Sequence, residues 1–296
     1  MDTNAAVIFI SGQSNAHAHG QFLAPEDRIT EPLKNVFSLD RETNQSFDIT
    51  DVVWSGYTTA GMNLGEKQDH TCCLAYYFAT LWQSAIDRGE QLPDLYIVQI
   101  SIGSQGIING MWNRDKEKIM NPGILGKIDI SLFPWAQQVQ YLAMENLRKS
   151  GRNPVILGWH WIGSEHEVWK DAFDRRDLQE RYDYFFDKML ASMGQHCPLW
   201  LYKINAEHFC LTHDIKPYAS ENINKALWWQ AQRHEDVHMV RPDHCPWWNP
   251  EEPLRGIYAP DDVHYLPKVQ QWFAEEFIAM SANITLFKKQ EEFSYA

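Results

Sequence analysis

Short apolar runs rich in Val, Ile and Leu recur along the chain, and each ends abruptly in small or polar residues. Val7-Ile8-Phe9-Ile10 gives way to Ser11-Gly12-Gln13-Ser14-Asn15. Leu95-Tyr96-Ile97-Val98-Gln99-Ile100 gives way to Ser101-Ile102-Gly103-Ser104-Gln105-Gly106, and residues 154–161 to Ile162-Gly163-Ser164-Glu165. Continuous apolar runs of this length suit strands buried on both faces, as in a parallel sheet. Residues 199–204 read as a further strand and 237–240 as a short final one. Residues 36–39 and 52–54 fit short strands in a loop-rich region. Between the strands lie helical patterns. Leu74, Tyr77, Phe78, Leu81, Trp82 and Ala85 recur at helical spacing within 70–88. Further helices are predicted over 134–150, with Gly151 as the stop, over 171–193 and over 219–233. Strands alternating with helices predict an α/β protein with its ligand site at the carboxyl ends of the strands.

Composition narrows this picture in three ways. The 296 residues, 44% of them hydrophobic, can fill a sizeable core, and no repeat, low-complexity segment or linker divides them. One domain over 1–296 is therefore expected. The formal net charge of -13, without a Lys/Arg-rich stripe, argues against nucleic acid and anionic membranes as partners. No apolar run approaches the ~20 residues of a bilayer span, and the start lacks a basic, apolar leader pattern. A cytoplasmic protein, or a mature or excised piece of an exported or phage-borne enzyme, is expected. Five cysteines in a chain of this size do not suggest a disulfide framework. Oligomeric state is not legible from the sequence.

The candidate chemistry begins at Gly12-Gln13-Ser14-Asn15. A Ser just past the first strand, after a glycine that permits a sharp turn, is a candidate nucleophile. Its partners stand near the other end of the chain. Asp261-Asp262-Val263-His264 offers a carboxylate and an imidazole three residues apart, a spacing that lets the aspartate fix the tautomer of the histidine.

These two blocks, in this order, resemble the SGNH hydrolases, and within them the sialate O-acetylesterase-like branch, carbohydrate esterase family 6. The resemblance runs in order from about Val7 to Phe277. It implies a three-layer α/β/α sandwich around a central, mostly parallel five-stranded sheet of SGNH or flavodoxin-like type. It also implies a serine esterase that removes O-acetyl groups from a carbohydrate, with catalytic Ser14, Asp261 and His264 and no metal or organic cofactor. The family's oxyanion glycine falls best on Gly65, with Gly61 the alternative. Gln13, Asn63, Gln105 and Glu165 complete the implied oxyanion and substrate-binding set. Where the family has Trp-x-Gln-Gly-Glu, this chain has Trp161, Gly163, Ser164 and Glu165, so the glutamine is missing. Gln105, beyond a strand that a flavodoxin-like order sets next to the first, is the expected replacement donor and Asn63 the second choice. The rival readings are a catalytically weak carbohydrate-binding relative and a general short-chain esterase.

Three other motifs are set aside. His17-Ala18-His19 presents two imidazoles, but no third ligand adjoins them in sequence, and a zinc site needs three or four. His234-Glu235-Asp236-Val237-His238 matches the zinc-protease pattern, which works only within a helix, whereas a strand-like run begins at Val237. No Gly-Lys-Ser/Thr follows the loop at 101–106, so it is not a phosphate loop.

Overall fold

A computed structural model of the protein describes residues 4–44, 46, 49–115, 131–169, 174–204, 217–252, 255–261 and 263–281. The first strand, β1 (Asn4–Gly12), lies at the centre of the sheet. Its residues Ala5 to Ile10 are at most 1% exposed, as an apolar run buried on both faces requires. Six further strands follow among the described residues: β2 (Val36–Leu39), β3 (Trp54–Gly56), β4 (Asp94–Ser101), β5 (Asn153–Ile162), β6 (Leu199–Tyr202) and β7 (Val237–Val240). Their order is β3-β2-β4-β1-β5-β6-β7, and every pair is parallel except β2–β3.

The sheet therefore has seven strands where five were expected. The additions are the short β2 and β3, of four and three residues, on one side of the sheet; the other five strands, β4-β1-β5-β6-β7, are contiguous and all parallel. Those five strands follow the flavodoxin-like order 2-1-3-4-5. β2 and β3, which come between β1 and β4 in the chain, lie outside β4. The expectation that the strand carrying Gln105 neighbours β1 agrees with this order.

Side chains alternate along β1, and the alternation builds two cores. Ala5, Val7 and Phe9 pack with α3 (Leu132–Lys149) and α5 (Leu178–Ser192). Ala6, Ile8 and Ile10 pack with α2 (Leu74–Asp87) and α7 (Pro267–Ser281). Helices thus cover both faces, and the first strand shares a core with the last described helix. The remaining helices are the short α1 (Arg41–Asn44) and α4 (Glu165–Trp169), and α6 (Pro217–Arg233). The predicted helix stop at Gly151 is a left-handed residue (φ 81°) whose N–H bonds Arg148 O, while Arg152 N–H bonds Leu147 O. That is the Schellman pattern that satisfies the last carbonyls of α3. Among the described residues no helix is long and apolar enough to cross a membrane. The long segment 109–134, with Trp112, Pro122 and Pro134, reads in sequence as an ordered flap near the site; its residues 116–130 lie outside the described residues.

Candidate active site

The carboxyl ends of β1, β4 and β5 meet at Gly12, which pairs with Ser101 on one side and Ile162 on the other. Gly12 has φ 143°, and a Cβ there would fall 2.0 Å from the Ile162 carbonyl oxygen, so only glycine fits. The chain turns sharply through Gln13 and enters a single 3-10 turn at Ser14. Ser14 is half-buried, while its neighbours Gln13 and Asn15 are buried.

Those neighbours fix the serine loop. Gln13 Nε2 donates to Glu165 Oε2 at 2.5 Å, and Asn15 Nδ2 donates to Glu165 Oε1 at 2.9 Å. Glu165 therefore clasps the residues on both sides of Ser14. Gln13 and Glu165 are 2% and 4% exposed. What this geometry supports for them is holding the loop, where direct contact with substrate was expected. Burial pushes the Glu165 carboxyl up, and the hydrogen bond from Asn15 opposes that. Ser164, at the position of a glycine in the esterase motif that the sequence resembles, keeps a left-handed backbone (φ 90°). The glycine-like conformation is thus retained at the strain that a side chain imposes on it.

Asn15 also joins the two ends of the chain. Its Nδ2 donates to Val263 O at 3.2 Å, and its Oδ1 accepts from Tyr265 N at 3.0 Å. The residue after Ser14 is thereby bonded to both neighbours of His264. Gln270 Nε2, from α7, donates to Asn15 O at 2.8 Å and adds a third tie. His264 Nδ1 lies 2.7 Å from Asp261 Oδ2, and Asp261 Oδ1 accepts from the N–H groups of Val263 and His264 at 3.0 Å each. Partial burial works against the Asp261 charge, but these three hydrogen bonds prevail and hold its carboxyl below the ordinary carboxylate range. With Nδ1–H given to Asp261, the Nε2 of His264 carries the lone pair, the state a general base needs. The ring of His264 bonds to Asp261 and not to Ser14; such contacts often tighten only with substrate. Asp262 lies outside the described residues.

The expected oxyanion residues surround this loop in different ways. Gly65 N–H points toward Asn63 Oδ1 at 3.3 Å, and a Cβ on Gly65 would meet Ser101 O at 2.1 Å. Asn63 is a scaffold residue. Its Nδ2 donates to Glu66 O and Ser101 O, both at 3.0 Å, and its Oδ1 accepts from Ser101 N at 3.0 Å. Both amide hydrogens are thus committed to main-chain carbonyls. Gln105 accepts Met111 N–H at its Oε1 (3.0 Å), which anchors the carbonyl end of its amide. His160 is a core residue, 0% exposed, with Nδ1 at 2.9 Å from Tyr202 Oη.

Two acidic residues here, Glu66 and Glu167, had no counterpart in the sequence reading. Glu66 accepts Gly103 N–H at 2.8 Å and lies 3.4 Å from His17 Nε2. His17, His19 and Glu66 form a group that could hold a metal ion, the third ligand coming from a distant loop. Glu167 is fully buried under Gly106 and accepts Ile108 N–H at 3.0 Å. Neither acid carries a local sequence signal, because their partners lie far along the chain.

Burial pushes the Glu167 carboxyl up to about 7 from an ordinary 4.5, with main-chain hydrogen bonds opposing and the Glu165 charge adding to it. The folded state then holds its proton more tightly than the unfolded chain. The stabilisation is complete below the unfolded value and is lost as pH rises through about 7. Glu167→Gln, which cannot ionise, is expected to flatten the fall in melting temperature between pH 5 and about pH 7.5. Superimposable melting profiles for the two proteins would assign that pH dependence elsewhere.

The fold and site together define an α/β protein whose candidate chemistry sits where the carboxyl ends of its central strands converge. Within that class, the chain is similar to the crystal structure of NanS, with a TM-score of 0.63 and 15% identity over 94% of this chain and 98% of that one. A protein from Arabidopsis thaliana is similar at a TM-score of 0.54 and 14% identity, over 93% of this chain and 98% of that one. No family model and no curated protein matches the chain. At these identities the likeness establishes a shared fold over nearly the whole length.

Proposed function

We infer that the protein is a serine esterase that removes O-acetyl groups from a carbohydrate. Ser14 Oγ attacks the ester carbonyl carbon while His264 Nε2 takes its proton. The tetrahedral intermediate collapses, the C–O bond to the sugar breaks, and His264 returns the proton to the leaving sugar oxygen. Water, deprotonated by the same imidazole, then releases acetate from Ser14. Asp261 holds the tautomer and offsets the imidazolium charge. The observation that carries this reading is the pair of hydrogen bonds of the Asn15 side chain, donated to Val263 O and accepted from Tyr265 N–H, which ties the Ser14 turn to the His264 loop across the length of the chain. Support for acetyl as the acyl group, and for a carbohydrate as its carrier, comes from the resemblance of the two motif blocks.

Hydrolysis of p-nitrophenyl acetate and p-nitrophenyl octanoate, alongside acetate release from O-acetylated sialic acid and acetylated xylan, tests the assignment. Turnover of acetate esters, with the octanoate much slower, is expected. Equal rates on both nitrophenyl esters would indicate a general esterase, and no turnover of any of them would indicate a binding protein.

With the family's glutamine absent at Gly163, the oxyanion lacks one side-chain donor, a loss of roughly 10²-fold in rate unless it is replaced. We assign the replacement to the Gln105 amide. Gln105→Ala is expected to lower kcat by at least about tenfold with little change in melting temperature. Asn63→Ala, which strips five hydrogen bonds from the loops around Ser101, is expected to act mainly through stability. A Gln105→Ala enzyme with undiminished kcat would remove Gln105 from the oxyanion hole.

A further inference from the structure

We propose that His17 Nε2, His19 Nδ1 and the Glu66 carboxylate form a binding site for a divalent transition-metal ion of the zinc class. His17 is 1% exposed, and its Nε2 has no hydrogen-bond partner among the described residues. That atom faces Glu66 Oε2 at 3.4 Å without hydrogen-bond alignment.

The surrounding network explains why. Asn63 is oriented by main-chain groups on both ends of its amide, so its Oδ1 accepts from Ser101 N and Ser101 Oγ. With its hydrogen donated there, Ser101 Oγ accepts from His17 Nδ1 at 3.0 Å. This assignment of hydrogens leaves a lone pair on His17 Nε2. His19 repeats the pattern. Gln68 Nε2 donates to its Nδ1 at 2.7 Å, so that nitrogen also carries a lone pair, and it lies 3.7 Å from Glu66 Oε1. Two imidazole lone pairs and a carboxylate thus converge, and a cation is what that arrangement lacks.

The spacing and donor set suit one class of ion. A tetrahedral zinc with bonds of about 2.0–2.1 Å holds its ligand atoms about 3.3 Å apart. The three ligand atoms lie within 4.8 Å of one another, so a modest contraction around an ion brings them to bonding distance. Two imidazoles with one carboxylate favour zinc, cobalt or nickel over magnesium and calcium, which prefer all-oxygen shells. Ser101 Oγ and Gly103 N–H supply the outer contacts that orient such ligands. On binding, the ion displaces the Gln68 amide from His19 and leaves a fourth position open to water.

The site lies beside the candidate catalytic histidine, the rings of His19 and His264 being 5.2 Å apart. A cation there opposes formation of the His264 imidazolium, so zinc is expected to inhibit the esterase. That consequence rests on the esterase reading; the binding itself does not.

The test is titration of chelator-stripped, full-length protein with CoCl2, read by the visible absorption of a tetrahedral cobalt site, followed by displacement with ZnCl2. Stoichiometric binding, displaced by zinc and not by MgCl2 or CaCl2, is expected. His19 is half-exposed, and Glu66→Gln keeps an oxygen for the Gly103 N–H, so His19→Ala and Glu66→Gln are expected to fold normally and to weaken binding at least about tenfold. Ser14→Ala is expected to bind as the wild type does whether or not it has lost activity, which separates this proposal from the esterase reading. Absence of stoichiometric cobalt and zinc binding by the folded wild type, or unchanged affinity in both His19→Ala and Glu66→Gln, would overturn it.

Discussion

Ser14→Ala is expected to lower kcat/KM on p-nitrophenyl acetate by about 10⁴-fold and to leave stability within about 0.5 kcal/mol of wild type. Both halves follow from where Ser14 stands. The loop is held by its neighbours: Gln13 and Asn15 bond to Glu165, and Asn15 bonds to the His264 loop. The serine side chain is half-buried and belongs to neither hydrophobic core. Removing its hydroxyl leaves that framework intact and removes the nucleophile. A variant that keeps more than a few per cent of wild-type turnover would show that the acyl group is carried elsewhere or not at all.

Asp261→Asn is the second large effect, again about 10⁴-fold in kcat. An asparagine can keep the bonds from Val263 N–H and His264 N–H through its oxygen. It must then turn an NH₂ group toward His264 Nδ1, which becomes an acceptor. The ring proton moves to Nε2, and the base facing the serine is lost. Asp262→Asn, the neighbouring substitution, is expected to cost far less, because the bonds to His264 are made by Asp261. Side-by-side kcat values decide the matter, and a larger loss at Asp262 would reverse the assignment. A pH–rate profile distinguishes the proposed cause from misfolding, since the wrong tautomer lowers kcat across the whole range in an enzyme that melts normally.

The parts of the molecule legible in the sequence are those whose signal is local. The runs that became β1, β4 and β5 are apolar over many consecutive residues because both their faces are buried. The amphipathic stripe of α2 and the stop of α3 at Gly151 are equally local. The short strands at 36–39 and 237–240 were legible with the bounds they have in the fold. The strand expected at 52–54 falls instead at Trp54–Gly56, because three residues have no period to detect and its position depends on pairing with Val36–Leu39 across a loop. Strand order is non-local, and nothing in the residues shows that β2 and β3 lie outside β4.

The site divides in the same way. The Asp261–His264 pair was readable because its partners stand three residues apart, and the Ser14 turn because it closes an apolar strand in small and polar residues. The clasp by Glu165 was not, because it depends on bringing residue 165 against residues 13 and 15. The same holds for Glu66, which meets His17 and His19 only after the loop before α2 folds back over the end of β4. Asn63 shows the converse error. A polar residue in a glycine-rich loop near a strand exit invites a catalytic role, yet here both its amide hydrogens satisfy main-chain carbonyls that a tight loop would otherwise leave unpaired.

The central claim is that Ser14 is a nucleophile activated by His264. Treatment with a fluorophosphonate, followed by intact-mass and peptide mass spectrometry, tests it most directly, because the reagent labels only an activated serine and needs no knowledge of the sugar. A single phosphonyl adduct on Ser14, formed slowly or not at all in His264→Ala and absent from Ser14→Ala, is the expected result. An unlabelled Ser14 in an enzyme that hydrolyses p-nitrophenyl acetate, or an adduct on another serine, would contradict it.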